Sequence, residues 1–345
     1  MSDLRDICAS HPLPDRPSFA HVVRWWRDSR KATLKDSRQF WQDYLRSATS
    51  LDWPPRNSSS TQGLATTSAV IKHWTGELTD LSKAHGITPA IASRVAIALA
   101  LSKISNRDDV TLGIVRSGRD IDVDAADEII GPCVSVLPSR SRLTGDRSLL
   151  EIARSENQVD RLSRVHQNVT LTELARLGSF ADRSAMFDIL VTYQSLAEHD
   201  EEHEKRSIWP IRQPPEQIYM PTSYSLSFEV TPSREDKNTL EFACFFDESL
   251  IDENGVKTVI DGITRVMDYI TTAPCTTVDG VKLDASVPLP ESTITKSFTK
   301  SQIDREAAAP FVKRIIPLWA AVLRIPEDTV EAEASFSSLG GDSVR

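Results

Sequence analysis

The 345 residues contain no run of 18 apolar residues, no cysteines at CxxC spacing and no excess of cationic charge. The first absence leaves no segment of the length a membrane-spanning helix needs, so no membrane partner is expected. Cys8, Cys133, Cys244 and Cys275 lie far apart in the chain. Neither a zinc knuckle nor a disulfide framework is indicated, and free thiols in a reducing cytoplasm are the expectation. Lys plus Arg number 40 and Asp plus Glu 49, a net charge of −9. A nucleic-acid backbone calls for clustered cations, so no nucleic-acid partner is expected. The opening MSDLRDICASHPLPDRPS has no apolar core of the kind a signal peptide carries. What is present is 40% hydrophobic and 26% charged residues. That composition supports a sizeable core, and the length allows two domains or one with a satellite.

Helix is expected first. In SFAHVVRWWRDSRKATLKDSRQFWQDYLRSA the apolar residues Val22, Trp25, Trp26, Phe40, Trp41, Tyr44 and Leu45 recur at helical spacing. LDWPPRNSSSTQG then breaks the pattern, and residues 67–78 suit a strand. Residues 88–104 form the clearest helix, with Thr88 as N-cap and Pro89 in the first turn. Its body is apolar nearly all round, which predicts burial. VTLGIV, GPCVSVLPSRSRL and FDILVTYQS read as strands. Pro132 and Pro138 are expected to fall outside regular ladder pairing. An amphipathic helix is expected over 147–166, starting near Asp146, with a polar loop over 197–217. YSLSFEVTP and TLEFACFFD alternate as a strand pair, and residues 248–272 make a long amphipathic helix. Strands alternating with helices point to an α/β sandwich.

After residue 276 large apolar residues become scarce, and a flexible linker is expected over 277–307. A helical stretch, PFVKRIIPLWAAVLRI, follows, then SFSSLGGDSVR. Gly340 and Gly341 have no Cβ and admit a close approach by another molecule. Asp342 and Ser343 sit where a helix would begin, and either residue could be a plain N-cap there. A phosphate ester on the Ser343 oxygen would be favoured by the positive end of the helix dipole.

WAAVLRIPEDTVEAEASFSSLGGDS resembles the carrier-domain signature of nonribosomal peptide synthetases. Trp319, Val322 and Leu323 match its helix, and Phe336, Leu339, Gly340, Gly341, Asp342 and Ser343 its loop. The resemblance implies 4′-phosphopantetheine on Ser343, attached by a phosphopantetheinyl transferase. Upstream, SGRDIDVDAADEIIGPCVSVLPSRSRL resembles the condensation-domain segment Ser–Gly–Arg followed by Gly–Pro–x–x–Asn–x–x–Pro–x–Arg. Ser117, Gly118, Arg119, Gly131, Pro132, Pro138 and Arg140 match, while Ser135 stands where the pattern has Asn. FWQDYLRSA, TPAIASRVAIALALSKISNRDDVTLGIV and MFDILVTYQS are similar to family segments as well. The resemblance covers about residues 17–275 and 308–345.

It implies α/β architecture: one lobe of a chloramphenicol-acetyltransferase-like sandwich, followed by the first helix and loop of a four-helix carrier bundle. The expected division is 1–66 for the end of the N-lobe and the lobe linker, 67–276 for the C-lobe, 277–307 for the linker and 308–345 for a partial carrier. Neighbouring synthetase domains are the implied partners. Arg119 and Arg140 are expected to act structurally or to shape the acceptor tunnel. The family's His–His–x–x–x–Asp–Gly motif, whose second His is placed against the acceptor amine, has no counterpart. His11, His21, His73, His85, His166, His199 and His203 include no adjacent pair. No catalytic residue is therefore assigned, and no metal site: His199 and His203 read as solvated loop and His166 as a surface or capping residue. The expected role is a condensation–carrier fragment contributing to amide-bond formation between carrier-bound thioesters, in an order resembling fungal siderophore synthetases. A docking module and an inactive remnant are the alternatives.

Overall fold

A computed structural model describes residues 16–54, 67–180, 186–194, 224–233, 236, 238–248, 250–283 and 316–321. By contacts the chain divides into two units, residues 1–292 and 293–345. The second is described only as a helical stretch over 316–321. Among the described residues no single helix is long and apolar enough to cross a membrane.

The first unit opens with helix α1, Ala20–Tyr44. It is polar along most of its length, and Val22, Ser37 and Trp41 are its buried residues. Strand β1 (Thr67–Thr75) precedes the short helix α2 (Leu78–His85) and helix α3 (Pro89–Ser105). Thr88 caps α3 as expected, its hydroxyl accepting from the Ile91 amide at 3.3 Å. Asn106 ends the helix in the left-handed region, at φ 53°. Every residue from Ile91 to Ser102 is buried, which is why no apolar stripe is visible in the sequence. Strands β2 (Asp109–Arg116) and β3 (Ser135–Arg142) follow, then helix α4 (Leu149–Ser163) and α5 (Leu171–Leu177). Helix α4 starts later than the expected Asp146. Ser148 and Glu151 form a reciprocal capping box that sets its first turn. Strands β4 (Ile189–Tyr193), β5 (Leu226–Pro232) and β6 (Thr239–Asp247) lead to helix α6, Glu253–Thr272. The Asp252 carboxylate accepts from the Gly255 amide at 2.7 Å and fixes the start of α6, five residues beyond the expected one.

The six strands form one mixed sheet in the order β1-β6-β5-β4-β2-β3. Strand β4 runs parallel to β2 and β5, and the remaining pairs are antiparallel. Alternate residues of the β5–β6 hairpin, Leu226, Phe228 and Val230 with Leu240, Phe242, Cys244 and Phe246, enter the main core. That core also holds Val95, Leu99, Ile260 and Ile263 of α3 and α6. Each such side chain contributes about 1.5–3 kcal/mol when fully buried. A second cluster gathers Trp41, Leu45, Leu137, Val169, Leu174, Met186 and Phe187.

Two expectations require correction. Pro138 does not fall outside the ladder but pairs with Gly113 in the β2–β3 register. β3 is an edge strand, and the amide of Arg140, two residues on, faces the free edge, where it donates to the Tyr44 hydroxyl. The nitrogen of Pro138 shares that direction, so its missing N–H leaves no partner in β2 unpaired. The expected linker also does not begin at 277. Val278 and Val281 are buried in the main core, and the amides of Val278 and Asp279 donate to the carbonyls of Arg147 and Gly145. Two valines are few by count, but a groove beside the start of α4 is available for them.

Candidate functional site

The residues of the Ser–Gly–Arg and Gly–Pro signatures meet at the base of a long excursion between β2 and β3. Gly118 adopts φ +66°, and a Cβ there would stand 1.7 Å from the Cys133 carbonyl oxygen. Only glycine lets residues 117–119 lie directly on residues 131–133. A Cβ on Gly131 would strike the Phe19 ring. The Arg119 guanidinium reaches across the excursion and donates to the carbonyls of Ala126 at 2.7 Å and Ile129 at 2.8 Å. The signature therefore closes a loop, and Arg119 holds it through backbone oxygens. Ser135, where the family pattern has Asn, has a buried hydroxyl without a hydrogen-bond partner among the described residues.

Arg140 does the corresponding work at the edge of β3. Its Nε donates to Asp109 at 2.8 Å, and a second N–H meets the other oxygen of the same carboxylate. The remaining donors reach the carbonyls of Tyr44 (3.1 Å), Arg46 (2.7 Å) and Ser47 (3.1 Å). Tyr44 closes α1, whose last carbonyls have no partner within the helix, and Arg46 and Ser47 lie in the turn just beyond it. A cation suits that negative end. The Tyr44 hydroxyl accepts from the Arg140 amide at 2.6 Å and donates to the Arg140 carbonyl at 3.2 Å. It thereby closes the free edge of β3, and burial pushes the phenol well above its ordinary range.

Beneath β2 and β3, on the side of α3 and α4, lies a network of buried charges. Arg94 from α3 and Arg116 from β2 both donate to the Asp160 carboxylate of α4 at 2.8 Å. Arg116 also donates to the Ser163 hydroxyl at 3.1 Å. Burial opposes ionisation of Asp160, but the two guanidinium groups outweigh it and hold the carboxyl below its ordinary value. Glu156, one turn earlier on α4, accepts from the Ser139 hydroxyl at 3.0 Å and the Ser141 hydroxyl at 2.7 Å. Its nearest cation, Arg94, is 4.0 Å away. Burial therefore prevails, and the Glu156 carboxyl lies above its ordinary value. Sequence reading missed this network, although its signal was present. Arg94 interrupts an otherwise apolar helix, and Glu156 falls on the buried face of α4, seven residues after Leu149.

A cavity of about 480 Å³ opens between α1, β3 and α4, lined by Phe40, Tyr44, Arg140, Arg142, Arg147 and Val159 among others. His166, expected as a surface or capping residue, is partly buried at the end of a short 3-10 turn. Its ring stacks on Phe40 with centroids 4.5 Å apart, and Nδ1 lies 3.1 Å from the Ser37 hydroxyl. Burial, partly offset by Asp36, lowers its affinity for a proton. Cys133 and Cys244 are buried free thiols and Cys275 an exposed one, while Cys8 lies outside the described residues. Among the described residues no group of three or more His, Cys, Asp or Glu could hold a metal ion. His199, His203 and the signature Gly340, Gly341, Asp342 and Ser343 lie outside the described residues. Arg119, Arg140 and the Arg94–Arg116–Asp160 set spend their donors on backbone and side-chain oxygens, so the arrangement holds the backbone in place.

This six-stranded mixed sheet, with helices α3, α4 and α6 packed on its main core, has the architecture of one lobe of a chloramphenicol-acetyltransferase-like sandwich. The family model for the condensation domain matches residues 1–286, and the chain belongs to that family. The nonribosomal peptide synthetase agiA of Aspergillus flavus is 33% identical over 173 residues, covering 50% of this chain and 2% of that protein. The crystal structure of CT superposes with a TM-score of 0.63 at 17% identity, over 82% of this chain and 61% of that one. The X-domain from teicoplanin biosynthesis gives a TM-score of 0.60 at 16% identity, over 80% of this chain and 65% of that one. The chain thus spans a small fraction of its curated relative and about three fifths of its structural neighbours.

Proposed function

We propose that the chain serves in a nonribosomal peptide synthetase as the C-terminal lobe of a condensation domain joined to the start of a carrier. There it contributes to amide-bond formation between carrier-bound thioesters in secondary metabolism. The observation that carries this reading is the match of residues 1–286 to the condensation family. The Ser–Gly–Arg and Gly–Pro segments close one loop, and Arg140 fastens β3 to the end of α1. The synthetase relative favours this role over that of a docking module. No adjacent histidines occur in the sequence. The histidine placed against the acceptor amine is therefore contributed by other residues of the assembly, and this lobe supplies a rigid wall.

Ser343 is the attachment point for 4′-phosphopantetheine, with Gly340 and Gly341 admitting the phosphopantetheinyl transferase and Asp342 as the acidic neighbour. The support is the spacing of two sequence clusters, Trp319–x–x–Val322–Leu323 and Phe336–x–x–Leu339–Gly340–Gly341–Asp342–Ser343. The partners are the transferase and neighbouring synthetase domains, and the setting is the cytoplasm. The test is an intact-mass measurement after incubation with coenzyme A and a broad-specificity transferase. It is run on this chain, on one extended through a full carrier, and on the Ser343→Ala form of the latter. The extended chain is expected to gain one phosphopantetheine mass and the Ser343→Ala form none. An unmodified extended chain overturns the carrier assignment. An amide product formed by the present chain alone, from carrier-bound substrates, overturns the non-catalytic role.

A further inference from the structure

The cavity between α1, β3 and α4 has a composition that its structural role does not require. At about 480 Å³ it falls in the size range of small-molecule sites. One wall is aromatic and aliphatic: Phe40, Tyr44, Ile152 and Val159. Three arginines, Arg140, Arg142 and Arg147, line the other, with Asp43, Ser155 and Glu156 completing the rim. Their charges differ in availability. Arg140 is spent on Asp109 and three carbonyls. Arg147 donates to the carbonyls of Arg142 and Glu151 and, behind the Ser148 hydrogen bonds, its charge helps hold the Glu151 carboxyl below its ordinary value. Arg142 is exposed, and its guanidinium has no hydrogen-bond or ion-pair partner among the described residues.

The nearby acids are engaged elsewhere. Asp43 pairs with Arg46 and accepts from Gln39. Glu151 accepts from Ser148 in the capping box. Glu156 faces Ser139 and Ser141. Arg142 therefore stands over the pocket without a partner among the described residues, and Arg147 spends its N–H groups on backbone oxygens with the capping carboxylate of Glu151 near it.

We propose that this cavity binds a small amphipathic anion, with a phosphate or carboxylate head on Arg142 and Arg147 and an apolar or aromatic body against Phe40, Tyr44, Ile152 and Val159. The fork of a guanidinium suits either head, and a pocket that takes an apolar body selects against inorganic anions. The site stands independently of the synthetase reading, because it uses no residue of the carrier and no family signature beyond Arg140.

The test is calorimetric titration of the full chain with phenyl phosphate, phenylacetate, inorganic phosphate and benzyl alcohol. Phenyl phosphate or phenylacetate is expected to saturate a single site with a dissociation constant on the order of 1 mM. Whichever binds more tightly identifies the head group. Inorganic phosphate and benzyl alcohol, each carrying half of the recognition, are expected to bind at least about tenfold more weakly. Arg142→Ala should weaken the aromatic anion about tenfold, and Arg142→Glu should abolish its binding. Arg142 is exposed and unpaired, so both variants should keep the parent melting temperature. Ser155→Trp, placing bulk at the exposed side of the cavity, should block the apolar body while leaving both arginines in place. Absence of saturable binding overturns the proposal. So does binding that inorganic phosphate matches, or that survives both Arg142→Glu and Ser155→Trp.

Discussion

Arg140 and Asp160 anchor two polar clusters beside the same pair of strands, and the two are built on different logic. At the free edge of β3 one cation faces one carboxylate and a row of backbone oxygens. Its donors are all used, and the partners cannot titrate except for Asp109. On the helix side two cations share one carboxylate, while the second carboxylate, Glu156, is held by hydroxyls. The edge cluster fastens α1 to the sheet mainly through backbone carbonyl oxygens. In the inner network the two carboxyls are shifted in opposite directions, Asp160 below and Glu156 above its ordinary value, so its stability depends on proton concentration. A single chain thus solves the same problem, a polar side chain beneath a sheet, once with backbone and once with charge.

The comparison breaks most sharply at Asp160. Asp160→Asn strands Arg94 and Arg116 as unpaired cations in a site that excludes water. It should cost about 3–5 kcal/mol in chemical denaturation at pH 7. The cost should shrink as pH falls through the range where Asp160 itself takes up a proton. Its folded value lies below the ordinary 3.8, so its contribution is present above 3.8 and fades on acidification. A cost under about 1 kcal/mol at pH 7 would mean the network does not depend on that carboxylate.

Arg140→Ala comes next, at about 3 kcal/mol. Asp109 retains some solvent, but the carbonyls at the end of α1 lose their donors. Its cost should be nearly constant from pH 5 to pH 8, a range in which the Asp160 carboxylate also stays ionised. A pH-dependent loss would merge the two clusters into one electrostatic unit. Tyr44→Phe sharpens the edge further. It removes the one hydroxyl that closes the Arg140 amide and carbonyl, and should cost about 1–3 kcal/mol. Hydrogen exchange at the Arg140 amide should accelerate in that variant, whereas amides of α4 should not change.

Glu156→Gln gives the smallest effect and the opposite sign. The folded carboxyl binds its proton more tightly than the ordinary value of 4.5. Its stabilising contribution is therefore complete below that value and is lost as pH rises through the folded one. Glutamine cannot ionise. The melting temperature of the variant relative to the parent should rise between pH 4 and pH 7. A flat or falling difference would show that Arg94 governs Glu156 despite lying 4.0 Å away.

Much of the fold is legible in the chain because it is local. Thr88 and Pro89 announce the start of α3, and alternation in TLEFACFFD announces β6. The Ser148–Glu151 box was equally local, yet Asp146 two residues earlier is also a good cap and drew the boundary forward. Pro138 misled for a different reason. A proline bars a central strand but not an edge, and strand order is a property of the whole sheet. Residues 277–283 misled because two valines give little periodicity, while their burial depends on a groove that α4 and its leading turn provide. His166 looked like loop because its partners, Ser37 and Phe40, are more than a hundred residues away.

The class of the fold, the buried central helix, the β5–β6 hairpin and the family signatures at 117–119 and 131–140 can all be read along the chain. These rest on residue spacing, and spacing acts through the nearest turns and strands. Only the tertiary structure decided what the signature arginines do. Arg119 and Arg140 find carbonyl oxygens that no pattern marks, because any residue carries one and only the folded backbone leaves some of them without a donor. It also decided in which direction each carboxyl's affinity for a proton moves. Asp160 and Glu156 stand one turn apart on a single helix, yet Asp160 meets two guanidinium groups and Glu156 meets two hydroxyls. That difference arises from side chains of α3, β2 and β3, brought together only when the sheet and its helices close.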